Sequence, residues 1–153
     1  MSHRWRCLLA ATLLAACERG SPPAPPVEYI PLQGGAPLPF SAAVRVGHVL
    51  ILSGQIGTDS SGHLVPGGIG PETRQTLENV RRVLEHNGSS MDRVVKCTAM
   101  LADMQDWGAM NRVYVTYFPH HLPARSAFGA SGLALNARIE LECWATTTEG
   151  PAR

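Results

Sequence analysis

Apolar and polar positions alternate or recur along the chain with two different periods, and the change of period marks out the elements. Ala43-Val-Arg-Val46 and Val49-Leu-Ile-Leu-Ser53 flank Gly47-His48, which predicts two strands joined by a tight turn, glycine supplying the positive φ that such turns need. The second run is apolar at successive positions, so both of its faces need cover and it belongs in the middle of a sheet. Residues 54–70 form a glycine-rich loop containing Asp59-Ser-Ser-Gly62, and Pro71 suits the first turn of a helix behind it. Leu77, Val80, Val83 and Leu84 then recur at spacings of three and four, which directs Glu72, Arg74, Glu78, Arg81, Arg82 and Glu85 outward. Asn87-Gly88 ends that helix. Arg93-Val-Val-Lys-Cys-Thr-Ala-Met-Leu101 is a further strand-like run, after which Asp103 or Asp106 can cap a second helix that Pro119 stops. Trp107, Met110, Tyr114 and Tyr117 fall on adjoining positions of this helix and predict its core face. Residues 124–130 and 138–147 close the chain as strands.

The resulting order, β-β-α-β-α-β-β, predicts an α+β fold, a mixed sheet with two helices packed on one face. No element remains to cover the other face, so self-association is the natural way to bury it.

Ahead of this domain the pattern is of another kind. Arg4 and Arg6 precede the apolar run from Cys7 to Ala16, a positive segment followed by a short hydrophobic one, as in an export signal. About ten residues are too few for a helix to cross a hydrocarbon core of roughly 30 Å. Leu14-Ala15-Ala16-Cys17 looks like a lipobox, which predicts cleavage before Cys17 and acylation of its thiol, hence a periplasmic domain anchored to a membrane by lipid alone. An ordinary signal peptide cut near Ala16 and an accidental apolar leader are the other readings. Between residues 18 and 39 stand Pro22, Pro23, Pro25, Pro26, Pro31, Pro37 and Pro39, the composition of an extended tether. The expected organisation is a signal peptide over 1–16, a tether over 17–38, the domain over 39–148 and a short tail over 149–153.

Composition narrows the function classes. The chain has 153 residues, room for one domain, and its 13 basic and 12 acidic residues are dispersed, which argues against nucleic acid as a partner. Of the four cysteines, Cys7 leaves with the signal and Cys17 would be acylated. An oxidising compartment permits a disulfide between the remaining Cys97 and Cys143. Their places inside strand-like runs, away from any Cys-x-x-Cys pair, read instead as two buried, unpaired thiols. His120 and His121 are adjacent and point apart, while His48, His63 and His86 sit at turns or a helix end, so all five are expected to face solvent and no metal or cofactor is indicated.

Taken singly, the candidate chemical residues are unremarkable. Arg138-Ile-Glu-Leu-Glu-Cys-Trp-Ala145 alternates, which puts Glu140 and Glu142 on one face and Ile139, Leu141 and Cys143 on the other, and an arginine after Pro123-Ala124 is ordinarily a surface residue. Together they mean more. Pro123-Ala-Arg-Ser-Ala-Phe-Gly-Ala-Ser-Gly-Leu133 followed by Ile139-Glu-Leu141, with Leu52-Ser-Gly-Gln-Ile56, Thr76-Leu-Glu-Asn-Val80 and Asn111-Arg-Val-Tyr-Val-Thr-Tyr-Phe118 in order before them, resembles the RidA/YjgF family of imine and enamine deaminases from about Pro37 to Thr148.

That resemblance implies a chorismate-mutase-like fold and a homotrimer whose sheets build a central β-barrel, with active sites in clefts between subunits. It implies that Arg125 pairs with a substrate carboxylate, for which its planar fork of donors is suited as a lysine is not. Glu140 matches the glutamate that works with the attacking water, a task for a carboxylate able to exchange protons. Phe40, Ser53, Gly54, Asn111 and Ala127 match substrate-binding positions. Phe40 stands where the deaminases commonly carry tyrosine, and Ala127 where they frequently carry cysteine, which together enlarge the pocket and make it less polar. The implied activity is cofactor-free hydrolysis of small 2-imino acids, or their enamine tautomers, to 2-oxo acids and ammonia. The alternative is a binding protein of the same fold that holds a small carboxylate ligand in the cell envelope without turning it over.

Overall fold

A computed structural model describes residues 23–32 and 38–148. The predicted export signal, Cys17 and the C-terminal tail lie outside the described residues. Seven strands make one sheet: β1 (Val27–Ile30), β2 (Ala43–Val46), β3 (Val49–Leu52), β4 (Gln55–Ile56), β5 (Val94–Leu101), β6 (Ala124–Gly129) and β7 (Ile139–Thr146). Their order is β1-β2-β3-β7-β5-β6, with the two-residue β4 also paired to β7. Pairing is antiparallel except between β5 and β6, whose parallel relation requires the crossover that α2 (Trp107–Tyr114) provides. α1 (Ile69–His86) fills the stretch between β4 and β5. As the apolar run predicts, β3 is an interior strand, and Gly47 turns the chain into it at φ 57°.

The core lies between the sheet and the helices. Leu77, Val80 and Leu84 of α1 and Met110 and Tyr114 of α2 close over Leu50, Leu52, Ala99, Leu101, Ile139 and Leu141. Each large side chain so buried contributes about 1.5–3 kcal/mol relative to exposure. The strand positions in between form the opposite face. Cross-strand partners share a face, and the registers Val46↔Val27, Val44↔Tyr29, Val44↔Ile51 and Ile51↔Trp144 run an apolar band across it. Tyr29 is 72% exposed there, and Val27, Phe128 and Trp144 are exposed with it. None of the described elements covers this band. An exposed apolar band on a sheet face is the kind of surface that marks an interaction site.

Three expectations are corrected. Residues 27–30, assigned to the tether, form β1 at the sheet edge, because Val27-Glu-Tyr-Ile30 finds ladder partners along β2, so the folded domain begins well before residue 39. Glu72, expected to face out, is 4% exposed. Its Oε1 accepts the backbone N–H of Arg138 at 2.6 Å and of Ile139 at 3.3 Å, so the carboxylate takes up two backbone donors where β7 begins. Cys97 and Cys143, expected as separate thiols, are bonded as a disulfide. They are directly opposed in the β5–β7 register with Cα atoms 4.2 Å apart, and neither sequence position reveals that pairing by itself. The five histidines from His48 to His121 are exposed, as expected.

Candidate functional site

The residues predicted to act together form two groups, and strand parity decides their placement. β5 carries Cys97, Ala99 and Leu101 on the helix-facing side, opposite Cys143, Leu141 and Ile139 of β7. On the other flank of β5, Cys97 is registered with Arg125 and Ala99 with Ala127. Arg125 and Ala127 are therefore on the helix side. Glu140 is registered with Met100, which is registered with Phe128; all three belong to the open side. Arg125 and Glu140 of one chain thus hang from opposite faces of the same sheet.

The group on the open side is built around Glu140. β4 pairs Ile56 with Glu140, which brings the chain just beyond β3 against this side chain. A Cβ at Gly54 would overlap the Glu140 Oε1 and stand 2.7 Å from its Cδ, so only glycine lets the carboxylate lie on the backbone here. Next to it, the Ser53 hydroxyl donates to the Ser41 carbonyl at 2.6 Å and the Ser53 N–H to the Ala42 carbonyl at 3.1 Å, fixing the segment that carries the exposed ring of Phe40. Partial burial, with the Glu142 charge on the same face adding to it, pushes the Glu140 carboxyl above the usual carboxylate range. Glu142 itself accepts the Trp144 indole N–H at 2.9 Å.

The group on the helix side is built around Arg125. Its guanidinium is half-buried, and no described carboxylate forms an ion pair with it. Instead its Cζ lies 4.5 Å from the Tyr114 ring centroid and 5.4 Å from that of Trp107, and Nη1 donates weakly to Met110 Sδ at 3.8 Å. Asn111, on the same helix, has a buried Oδ1 without a hydrogen-bond partner, as does the Tyr114 hydroxyl. The sequence reading assigned Trp107, Met110 and Tyr114 to core and missed their contact with Arg125. The available signal was their spacing of three, four and seven, which stacks them on one helix face. Among the described residues no three His, Cys, Asp or Glu side chains gather as a metal site would require.

The arrangement offers a guanidinium without a carboxylate partner among the described residues on one face and, on the other, a carboxyl that burial and the Glu142 charge raise above its ordinary value. Comparison with known proteins gives it a lineage: residues 34–147 match the family model described as Endoribonuclease L-PSP. The chain belongs to this family, also known as RidA/YjgF. Among curated RidA/YjgF relatives, the 2-iminobutanoate/2-iminopropanoate deaminase of Mus musculus is 45% identical over 114 residues, 74% of this chain and 83% of that protein. The human protein of the same name is 42% identical over 118 residues, covering 76% and 85% respectively. The crystal structure of yeast YEO7 superposes with a TM-score of 0.75 at 35% identity, covering 80% of this chain and 99% of that one. Escherichia coli TdcF with bound serine gives 0.72 at 26% identity, covering 79% and 100%. The mixed sheet with two helices on one face is thus the RidA/YjgF fold.

Proposed function

We propose that this protein hydrolyses small 2-imino acids, and enamines after tautomerisation, to 2-oxo acids and ammonia. The observation that carries the reading is Arg125, a partly exposed guanidinium with no carboxylate partner among the described residues. Relatives at 41–45% identity bear the name of that deaminase activity, and serine, the ligand named for the TdcF structure, is itself a small amino acid with a carboxylate. Arg125 binds the substrate carboxylate through paired N–H donors. Glu140 takes a proton from water as its oxygen adds to the imine carbon and passes that proton to nitrogen; it then takes the proton of the new hydroxyl and delivers it to the amine, so that the C–N bond breaks, the carbonyl forms and ammonia leaves. Burial and the Glu142 charge raise its carboxyl above the ordinary value, which makes the ionised form a better proton acceptor.

Because the two groups occupy opposite faces of one sheet, the reading includes a homotrimer in which Arg125 of one subunit and Glu140 of its neighbour line one cleft. Closing the ring buries the apolar band around Tyr29 and Trp144. Ser53, Gly54, Phe40, Asn111 and Ala127 complete the lining. The test is ammonia release from freshly generated 2-iminobutanoate. Arg125→Ala and Arg125→Lys are expected to lower kcat/KM by at least about ten- to two-hundredfold, the equivalent of one charge-assisted hydrogen bond of roughly 1.5–3 kcal/mol. Near-normal turnover by Arg125→Ala would refute the carboxylate role. Binding of 2-oxobutanoate by the wild type, without ammonia release from any imine, would establish a binding protein instead.

The lipobox-like segment ending at Cys17 supports an exported lipoprotein, held off the membrane by the proline-rich stretch that precedes β1. Cys17→Ser is expected to move the protein from the detergent phase to the aqueous phase, and unchanged partitioning would rule the anchor out.

A further inference from the structure

A site arginine is commonly aimed by a carboxylate that pairs with it, but that pairing would neutralise the charge and occupy the donors a substrate needs. Arg125 meets a different set of neighbours. Tyr114 is 3% exposed and Trp107 37% exposed, so one ring is anchored in the core while the rim of the other reaches solvent. Both lie within cation–π range of the guanidinium, at 4.5 and 5.4 Å, and Met110 Sδ at 3.8 Å adds a soft contact from the same helix face. Ring faces attract the cation through their quadrupole and accept none of its in-plane N–H bonds. Burial pushes the Tyr114 hydroxyl up to about 12, against the opposing influence of the Arg125 charge, so the ring stays a neutral phenol.

We propose that Trp107 and Tyr114 are positioning residues, an aromatic cradle on α2 that fixes the Arg125 guanidinium while leaving the in-plane donors not turned to Met110 Sδ free for a substrate carboxylate. The inference rests on the carboxylate-binding reading of Arg125. It makes the indole face at position 107 a determinant of affinity for the anion, although nothing requires Trp107 itself to touch the substrate.

The test uses the full-length protein, with 2-oxobutanoate as the probe in calorimetric titration and 2-iminobutanoate as substrate. Trp107 is partly exposed, so Trp107→Leu is expected to fold and to keep the melting temperature within a few degrees. Its Kd for 2-oxobutanoate should rise about two- to thirtyfold, the range of one cation–π contact, with kcat/KM falling in step. Trp107→Phe retains a ring face and should recover most of the loss, and Tyr114→Phe should stay within about twofold of wild type because the ring, not the hydroxyl, meets the cation. Unaltered binding by Trp107→Leu, or equal losses in Trp107→Leu and Trp107→Phe, would overturn the cradle while leaving the carboxylate reading intact. A wild type that neither binds 2-oxobutanoate nor releases ammonia would bring down the carboxylate reading and the cradle with it.

Discussion

Gly54→Ala offers a test of the Glu140 role in which neither Glu140 nor Arg125 is altered. Gly54 is not among the positive-φ glycines, so alanine can adopt the local backbone, and the entire effect comes from the methyl group. That methyl would overlap Glu140 Oε1 and lie 2.7 Å from Cδ and 3.0 Å from Cγ. Restoring carbon–carbon contact at ~3.5 Å or more requires the carboxyl group to retreat by about 1 Å. A displacement of that size at a reacting group lowers the rate by about a hundredfold, equivalent to about 2.7 kcal/mol on the barrier. The cost in stability should be smaller, about 1 kcal/mol, since the end of a flexible side chain can yield. Initial rates of ammonia release and a denaturation curve measured on the same preparation separate the two effects. Glu140→Gln supplies the control: adding Gly54→Ala to it should lower turnover little further, because both changes act on one carboxyl group. A folded Gly54→Ala variant with wild-type turnover would show that the position of this carboxylate is irrelevant to the reaction.

The pH dependence and the fold yield two more expectations. Burial and the Glu142 charge hold the Glu140 carboxyl above its usual range, so the folded state retains a proton that the unfolded state loses, and stability falls as pH rises through the raised value. Glu142→Gln removes the like charge and should shift the acid limb of the kcat/KM profile to lower pH while shrinking that fall in stability; an unmoved limb would refute the coupling. At Glu72, alanine leaves the Arg138 and Ile139 amides without their acceptor and should cost about 1–3 kcal/mol in chemical denaturation. Glutamine keeps an acceptor oxygen and should cost clearly less, so equal losses would show that the hydrogen bonds are not what Glu72 contributes.

Much of the fold is legible in the periodicity. β2, β3, β5, β7 and both helices lie where alternation or three-and-four spacing predicts, because each has a face whose burial dominates its local energetics, and β6, though none of its residues is buried, lies within the strand predicted over 124–130. β1 escaped because four residues among prolines carry a faint signal and become a strand only by pairing with β2. Glu72 was misread by its charge: it shares the four-residue spacing of Thr76, Val80 and Leu84, and that phase buries it. Cys97 and Cys143 are far apart in sequence, and only the β5–β7 register brings them together. The same limit applied to the site. Alternation sorted each strand into two faces, and the family resemblance supplied Arg125 and Glu140. Whether the two strands present those residues on the same side depends on how β5 joins β6 to β7, a non-local property that no single segment encodes.

That placement also has a bearing on inheritance. In the proposed ring every subunit serves two clefts, lending Arg125 to one neighbour and Glu140 to the other, so a chain defective in both residues spoils two clefts wherever it is incorporated. A cell making intact and doubly defective chains in equal amounts, assembled at random, would keep only about a quarter of its clefts instead of half. Loss of function in this protein would then behave as partly dominant, a genetic property that follows from which way two side chains point from a single sheet.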